Sequence, residues 1–440
     1  MRSVLLGANR PMACTFRMLV LVLLSIPLAA SADDAWRFST VDECSYAARY
    51  FGSTIHLTAS NRLEVVYQRD PNRGSGMSYA VRDTGSWTTS HIQADCSVFS
   101  LRSAADSVGT PHVLYSAFNC KSEGLKYAVR QGEQWQTAVV YSKPSPSEGE
   151  MMRRFGCNRY SLNLMVSDSN DLTVDRDGGV HTVYADPEGE EVVYGYRARG
   201  ARHWNWESIE KVGNHRLTAS RINPVVRVSP AGEVWVVYKK YTRRETPAGA
   251  KWPRIELRLA TKTVREWKCR TIVDGLGFID GKSKILFGPA NERFVAYTKC
   301  AAGKYGDPTV KWLLVERDGG KWMERYEGEP REQLLTAAWV GGHFHMLMTR
   351  VRPDKPNDGT VLQDTLVRLS KEANWEWKTE NVLELKDKQA LAAAINRYGD
   401  AHVLFASSSA ISSMLEYGIL KMGRGELQQH APADADKPRH

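Results

Sequence analysis

The sequence has no second long apolar run after its amino-terminal one, no CxxC pair, and seven cysteines in 440 residues. Spanning a bilayer takes about 20 predominantly apolar residues in a helix, so a multi-span membrane protein is excluded. A zinc finger or a thioredoxin-type redox site needs closely spaced cysteines, and none are present. No His, Cys, Asp or Glu cluster has metal-ligand spacing and no cofactor motif occurs. Neither metal nor cofactor is therefore expected, beyond a structural calcium that oxygen atoms in loops could hold. Nucleic-acid motifs are also missing, so no nucleic-acid partner is expected. Neither charge sign is scarce: 59 Lys and Arg stand against 50 Asp and Glu, a net charge of +9.

What is present is the composition of a folded protein, 42% hydrophobic, 25% charged and 10% aromatic. At the amino terminus Arg2, Arg10 and Arg17 precede the apolar run Met18–Ile26, and Pro27 leads into Ala30-Ser31-Ala32. This is the pattern of a secretory signal peptide over residues 1–32, with Met12 an alternative start. A secreted or periplasmic, monomeric protein is expected, and removing three arginines and no acids lowers its charge from +9 to +6. Export makes Cys44, Cys96, Cys120 and Cys157 candidates for disulfides; six cysteines allow fifteen connectivities, among which pairings such as Cys44 with Cys96 and Cys120 with Cys157 are geometrically reasonable. Cys269 and Cys300 map to different heights in blades four and five, which leaves their pairing open.

The 13 Trp and 18 Tyr mark an internal repeat. A turn with Gly or Asn leads into a strand ending near Tyr; a variable loop, a second strand, a basic residue and a Gly-containing turn before Trp follow. Leu63–Tyr67 is followed by Met77–Arg82, Gly85 and Trp87; His112–Tyr115 by Leu125–Arg130, Gly132 and Trp135; Gly179–Tyr184 by Tyr194, Arg197, Gly200 and Trp204. Later copies start at Gly232, Asn291, Gly341 and Gly399; the sixth ends at Trp375 or Trp377, and the seventh has Leu427 where a tryptophan would stand. Successive tryptophans 87, 135, 204, 267 and 322 are 48, 69, 63 and 55 residues apart, room for four short strands per unit. The period within units is two, and Gly, Asp, Asn or Pro bound the segments, as in antiparallel hairpins. Seven such units predict an all-β, seven-bladed propeller of four-stranded antiparallel blades over residues 33–428. An insertion of about 142–171 and a loose tail at 429–440 complete the organisation.

The Asp83-Thr84-Gly85-Ser86-Trp87 and Asp318-Gly319-Gly320-Lys321-Trp322 turns resemble a shortened Asp-box hairpin. With the repeats, they make the chain similar to sialidase-like propellers of the bacterial neuraminidase-repeat type. That resemblance implies the propeller architecture. No full Asp-box and no sialidase arginine triad or tyrosine nucleophile can be matched to it. Propellers of this kind serve as lyases, glycosidases and lectins.

Topology sorts the connections. Numbering strands outward from the axis, loops between second and third strands and between blades open on one face, and short hairpin turns on the other. The long connections are basic: Arg69, Arg73, Lys239, Lys240, Tyr241, Arg243, Arg244, Lys299, Arg350 and others. The large insertion adds Arg153, Arg154, Arg159 and Tyr160, and the next inter-blade loop adds His215, Arg216 and Arg221. Guanidinium groups hold carboxylate or sulfate bidentately and aromatic rings stack on sugars, so an acidic glycan is the expected partner. Arg159, Arg216, Tyr241, Arg243 and Arg244 are the candidate substrate-binding residues, and Tyr160 or His215 the base of a uronate lyase. A hydrolase would need two carboxylates, for which Asp168, Asp171, Glu245, Asp280 and Asp307 are loop candidates without a diagnostic spacing. The competing reading is a non-catalytic scaffold binding a protein or cell-surface partner. His112, His181, His345 and His402 recur at one repeat position, where Glu64 and Trp235 stand in blades one and four. Recurrence of that kind indicates scaffold.

Overall fold

The structure is a computed structural model that describes residues 37–420 except 43–52, 59, 69–75, 84, 94–95, 119–121, 142–168, 187–190, 213–221, 244–252, 265, 277–282, 289–291, 301–309, 319–320, 328–331, 341–342, 352–359, 370–374, 386–387 and 409–412. The described strands form seven four-stranded antiparallel sheets. Their inner strands are Ser53–Leu57, Ser97–Ala105, Asn170–Val174, Val225–Val228, Lys284–Phe287, Glu332–Val340 and Lys388–Ile395. Each packs against the next, and the seventh returns to the first, closing a β-propeller around an axial channel.

The closing blade corrects the sequence reading. Its outer strand is not carboxy-terminal near Leu427, which lies outside the described residues. Arg37–Asp42 pairs antiparallel with Ser413–Leu420, so the beginning of the folded chain completes the last sheet. That arrangement removes a sheet edge, which would otherwise expose unpaired backbone groups.

The hairpin joining first and second strands is the same five-residue device in most blades. In blade two the Asp106 amide donates to the Thr110 carbonyl, Gly109 N–H to the Asp106 carbonyl, and Thr110 N–H to the Asp106 carboxylate. Asp175 to Gly179, Ser229 to Glu233 and Asn396 to Asp400 repeat it. The fourth residue needs positive φ, supplied by Gly109, Gly178, Gly232 and Gly399 and, in blade one, by Asn61. These are the Gly or Asn punctuation marks legible in the repeat.

The recurring Tyr and Trp stitch neighbouring blades together. Tyr79 of blade one meets Trp135 of blade two edge-on at 5.3 Å, with Arg130 over its ring at 5.3 Å. Tyr127 meets Trp204 at 5.4 Å under Arg197, and Tyr194 meets Trp267 at 5.0 Å under Lys262. Across the closing seam Tyr417 meets Trp87 at 5.5 Å under Arg82. Each such edge-to-face pair is worth about 0.5–1.5 kcal/mol beyond its buried area. Blade four lacks the tyrosine, and Trp235 on its second strand reaches Trp322 instead.

The repeated histidines belong to this scaffold. Nδ1 of His112, His181 and His402 lies 2.5, 2.7 and 2.6 Å from the hydroxyl of Tyr127, Tyr194 and Tyr417. His181 Nε2 is also 2.9 Å from Asp175 of its own turn. In blade one Glu64 takes the place, bonded to His56 at 2.7 Å and Arg62 at 3.0 Å. Burial opposes ionisation of Glu64, but His56 and Arg62 outweigh it and lower its pKa.

One packing prediction arises at the outer rim of blade three. Gly195 lies under Trp206, and a Cβ there would stand 2.1 Å from the indole. Gly195→Ala is expected to displace Trp206 and cost about 1–3 kcal/mol, seen as a lower urea midpoint and altered tryptophan fluorescence.

Candidate functional site

The two faces of the ring differ. On one lie the closed hairpin turns; on the other every connection between second and third strands, and every connection between blades, has its ends. The longest runs from Tyr141 to Asn170, and another from Lys211 to Val225. These two connections carry Arg159, Tyr160, His215 and Arg216, all outside the described residues, as is Arg244. Only the backbone of Arg243 is described; it ends the strand Val234–Arg243 and pairs with Pro253.

Both connections lead straight into inner strands that carry charge. Thr54, Arg102, Asp171, Val225, Lys284 and Ala392 each stand four residues before the first residue of their turns, Thr58, Asp106, Asp175, Ser229, Gly288 and Asn396. They face equivalent partners on the second strands: Val66, Leu114, Val183, Val237, Ala296 and Leu404. Three of these six positions are ionisable, on blades two, three and five. From blade four Arg227, two positions further along, reaches back to Asp171.

Asp171 is buried and accepts from the Val226 amide at 3.0 Å and from Arg227 Nη1 at 2.6 Å. Its backbone carbonyl accepts from Thr182 Oγ1 at 3.0 Å. Arg102 Nε donates to the Asn170 carbonyl at 3.3 Å, and Asn170 Nδ2 to Ser100 Oγ at 3.4 Å. Lys284, on the inner strand of blade five, is half-buried. Burial, then the positive charges of Arg227 and Arg102, push its ammonium down to about 8 against the opposing pull of Asp171. Asp171 thus holds Arg227 directly, and Arg102 and Lys284 lie near enough for the four charges to act on one another. The inner strands of blades six and seven begin with Glu332 and Lys388, and their remaining residues, Gln333–Val340 and Gln389–Ile395, carry no charge.

Several loop residues of the sequence reading lie elsewhere. Asp171 is on a strand and ion-paired, so it is no free hydrolytic carboxylate. Lys239, Lys240 and Tyr241 extend the second strand of blade four instead of its loop. Lys239 is 1% exposed, and Lys240 pairs with Glu210 at 2.8 Å. Lys299 and Arg350 also lie on strands. Tyr241 is 5% exposed in a core cluster with Val212 and Ile222, and its amide donates to the Val212 carbonyl; this burial leaves it no open face for a sugar. Glu210 is saturated by Tyr238, Lys240 and the Nε and Nη2 of Arg258; burial opposes this charge, but these donors lower its pKa. Asp168, Glu245, Asp280 and Asp307 lie outside the described residues. So do Cys44, Cys120 and Cys157, whereas Cys96 is buried and Cys269 is a free thiol.

Arg102, Arg227 and Lys284 were not singled out by the sequence. The repeat was traced from its second strand, because the inner strands of blades four and five are four residues long and carry no Tyr or Trp marker. Counting back four positions from each turn would have found two of the three.

Among the described residues no group of three His, Cys, Asp or Glu is placed to hold a metal ion, and no helix is long and apolar enough to cross a membrane. No family model matches the chain, and no curated protein matches it by sequence. Among solved structures it is similar to the polysaccharide lyase Uly1, with 10% identity over 85% of this chain and 90% of that one, at a TM-score of 0.52. An intramolecular trans-sialidase from Ruminococcus gnavus has 10% identity, 90% and 99% coverage and a TM-score of 0.44. The β-propeller domain of the Trilobed protease from Pyrococcus furiosus has 8% identity, 88% and 99% coverage and a TM-score of 0.49. At these identities the likeness is one of fold, and the sialidase-type resemblance holds at the level of architecture.

Proposed function

We propose that this chain is an exported propeller that engages an acidic extracellular polysaccharide across the face of its long connections. The observation that carries the reading is the cluster of cations Arg102, Arg227 and Lys284 about Asp171, on the inner strands where the long connections end. Such a cluster costs folding energy through mutual repulsion, and an anionic ligand offsets that cost. Polysaccharide chains are long and flat, and a ring of connections around a charged centre gives them both a surface and an anchor. The similarity to a polysaccharide lyase agrees with this reading without carrying it. Within it, Arg159 and Arg216 neutralise a uronate carboxylate and Tyr160 or His215 removes the C5 proton, so that the C4–O4 bond breaks by elimination.

Export and a disulfide belong to the same reading. Cys96 precedes the inner strand of blade two, fully enclosed near the blade-one boundary, which suits a bridge to Cys44 and contrasts with the free Cys269. Non-reducing peptide mapping of the secreted protein checks both the bridge and a mature start at Asp33.

The functional test is incubation with uronate, sulfated, sialylated and neutral polysaccharides, following binding, reducing ends and absorbance of the unsaturated product. Binding confined to acidic members supports the reading, and elimination product on uronates supports the lyase form. Binding to none of them, with capture of a protein partner instead, would transfer support to an interaction scaffold.

A further inference from the structure

We propose that Ser103, His56 and Glu64 form a nucleophilic relay where the inner strands of blades one and two meet, and that it hydrolyses a short-chain acyl ester. This second activity is independent of the polysaccharide reading and uses none of its residues.

Two departures from the repeat meet here. Two residues before its turn, each inner strand faces the position where the repeated histidine stands on the second strand. In blades two to seven that inner-strand residue is Ala104, Thr173, Arg227, Leu286, Ala338 or Ala394. Blade one exchanges the roles, with His56 on the inner strand and Glu64 facing it. One residue earlier on the inner strand, Ile55, Leu172, Val226 and Ile285 are buried in core clusters. Blade two has the half-buried Ser103 there instead. Solvent reaches Ser103 and His56, whose side chain is 12% exposed, while Glu64 is fully enclosed. Recurrence marks scaffold, and neither His56 nor Ser103 recurs.

The hydrogen bonds run in one direction. Glu64 accepts from Arg62 Nε at 3.0 Å; burial opposes its charge, but His56 and Arg62 outweigh that and keep it ionised. A carboxylate only accepts, so His56 Nε2, 2.7 Å away, carries the proton of that bond. In the neutral ring Nδ1 is then the acceptor, and it lies 3.0 Å from Ser103 Oγ. Ser103 donates to it and accepts from Thr54 Oγ1 at 2.6 Å. Nucleophile, base and orienting carboxylate are each within hydrogen-bond reach of the next, and either ring nitrogen serves as base once the other is held. The Asp106 amide bonds into the ladder, so by antiparallel alternation Ser103 directs its own N–H away from its sheet, toward the axis. That amide is a donor for an oxyanion formed on Ser103.

In the reaction, Ser103 Oγ adds to the ester carbonyl carbon as its proton passes to His56 Nδ1. The ester C–O bond breaks, the leaving alkoxide takes that proton, and the acyl group stays on Ser103. Water repeats the sequence and releases the acid and the free serine. The Thr54 hydroxyl and the imidazole crowd Oγ with polar groups, which suits an acetyl-sized acyl group and disfavours a long chain.

The experiment treats the purified protein with p-nitrophenyl acetate, following nitrophenolate, and separately with phenylmethanesulfonyl fluoride, followed by peptide mass mapping. Turnover of the ester and one sulfonyl group on Ser103 are expected. Ser103→Ala should lower turnover by about a hundredfold or more and abolish the label, with its urea midpoint and its binding of acidic polysaccharide unchanged. Glu64→Gln, whose amide can present a donor to Nε2 and favour the other tautomer, should lower turnover about tenfold or more. Ser103→Cys keeps a nucleophile beside the same base and should be alkylated by iodoacetamide faster than the free Cys269. Absence of label on Ser103 in the wild type, or turnover by Ser103→Ala at the wild-type rate, overturns the relay. Neither result touches the polysaccharide reading, which has its own test.

Discussion

Between pH 6.5 and pH 4 the protein is expected to lose most of its folding free energy. His112, His345 and His402 are buried among the second strands of blades two, six and seven, and burial lowers each to about 4 from the ordinary 6.5. In the unfolded chain they take up protons as the pH falls through 6.5, whereas the folded protein resists until about 4. The unfolded state therefore binds more protons throughout that window, and stability falls steadily with pH inside it. A shift of this size is worth about 3 kcal/mol per histidine, and three together are on the order of 10 kcal/mol, comparable with the whole stability of a typical domain. Above pH 6.5 all three are neutral in both states and the dependence vanishes. His181 adds to the effect in the same direction, since burial lowers it even against the pull of Asp175.

Urea unfolding at pH 7.5, 6, 5 and 4.5 measures this directly. A midpoint that drops steeply below 6.5 agrees with the account, and a flat profile to pH 4.5 contradicts it. A single variant refines the test. Among the described residues neither ring nitrogen of His345 has a hydrogen-bond partner, so His345→Leu removes a titrating group without breaking a bond. It should leave stability at pH 7.5 unchanged or higher and reduce the acid slope by about one third.

The second large effect is expected at Asp171, where stability and binding should move in opposite directions. Replacing it with Ala leaves the Val226 amide and the Arg227 guanidinium without their buried acceptor. Because solvent reaches Arg227, the loss is smaller than for a fully enclosed pair, about 1–3 kcal/mol, most of it from the buried Val226 amide and the lost charged hydrogen bond. Asp171→Asn keeps an acceptor oxygen and should cost less. Both variants also remove a negative charge that acts on Lys284, so this end of the inner strands becomes more positive. Affinity for an acidic oligosaccharide at pH 7 should therefore rise in Asp171→Asn as its urea midpoint falls. A loss of both together would mean that Asp171 organises the site rather than opposing the ligand's charge.

Much of the fold was legible because the same physics recurs from blade to blade. Positive φ at Gly109, Gly178, Gly232 and Gly399 and the interlocked Tyr, basic residue and Trp are imposed by the ring and recur at fixed spacing. Where a blade departs from the pattern, as with Trp235 in blade four, a different residue fills the same contact. The closing strand was not legible. It lies nearly 400 residues before its partner in the chain, and nothing in a local pattern says that Arg37–Asp42 will pair with Ser413–Leu420.

The site was legible only as a face. Loop composition pointed to the side where the long connections emerge, but several of its cations, Lys239 and Lys240 among them, turned out to be strand residues already buried or paired. The charges that do converge, Arg102, Arg227 and Lys284, come from three short inner strands far apart in sequence. Only ring closure makes neighbours of them, so no motif could announce them.

The central claim is that this propeller recognises the acid groups of a polysaccharide, and one comparison tests it most directly. An acidic uronate oligosaccharide and the same oligosaccharide with its carboxyl groups reduced to alcohols are titrated into the wild-type protein at pH 7 and fixed ionic strength. The account predicts saturable binding of the acidic chain and at least tenfold weaker binding of the reduced one. Equal affinity for the two would contradict it.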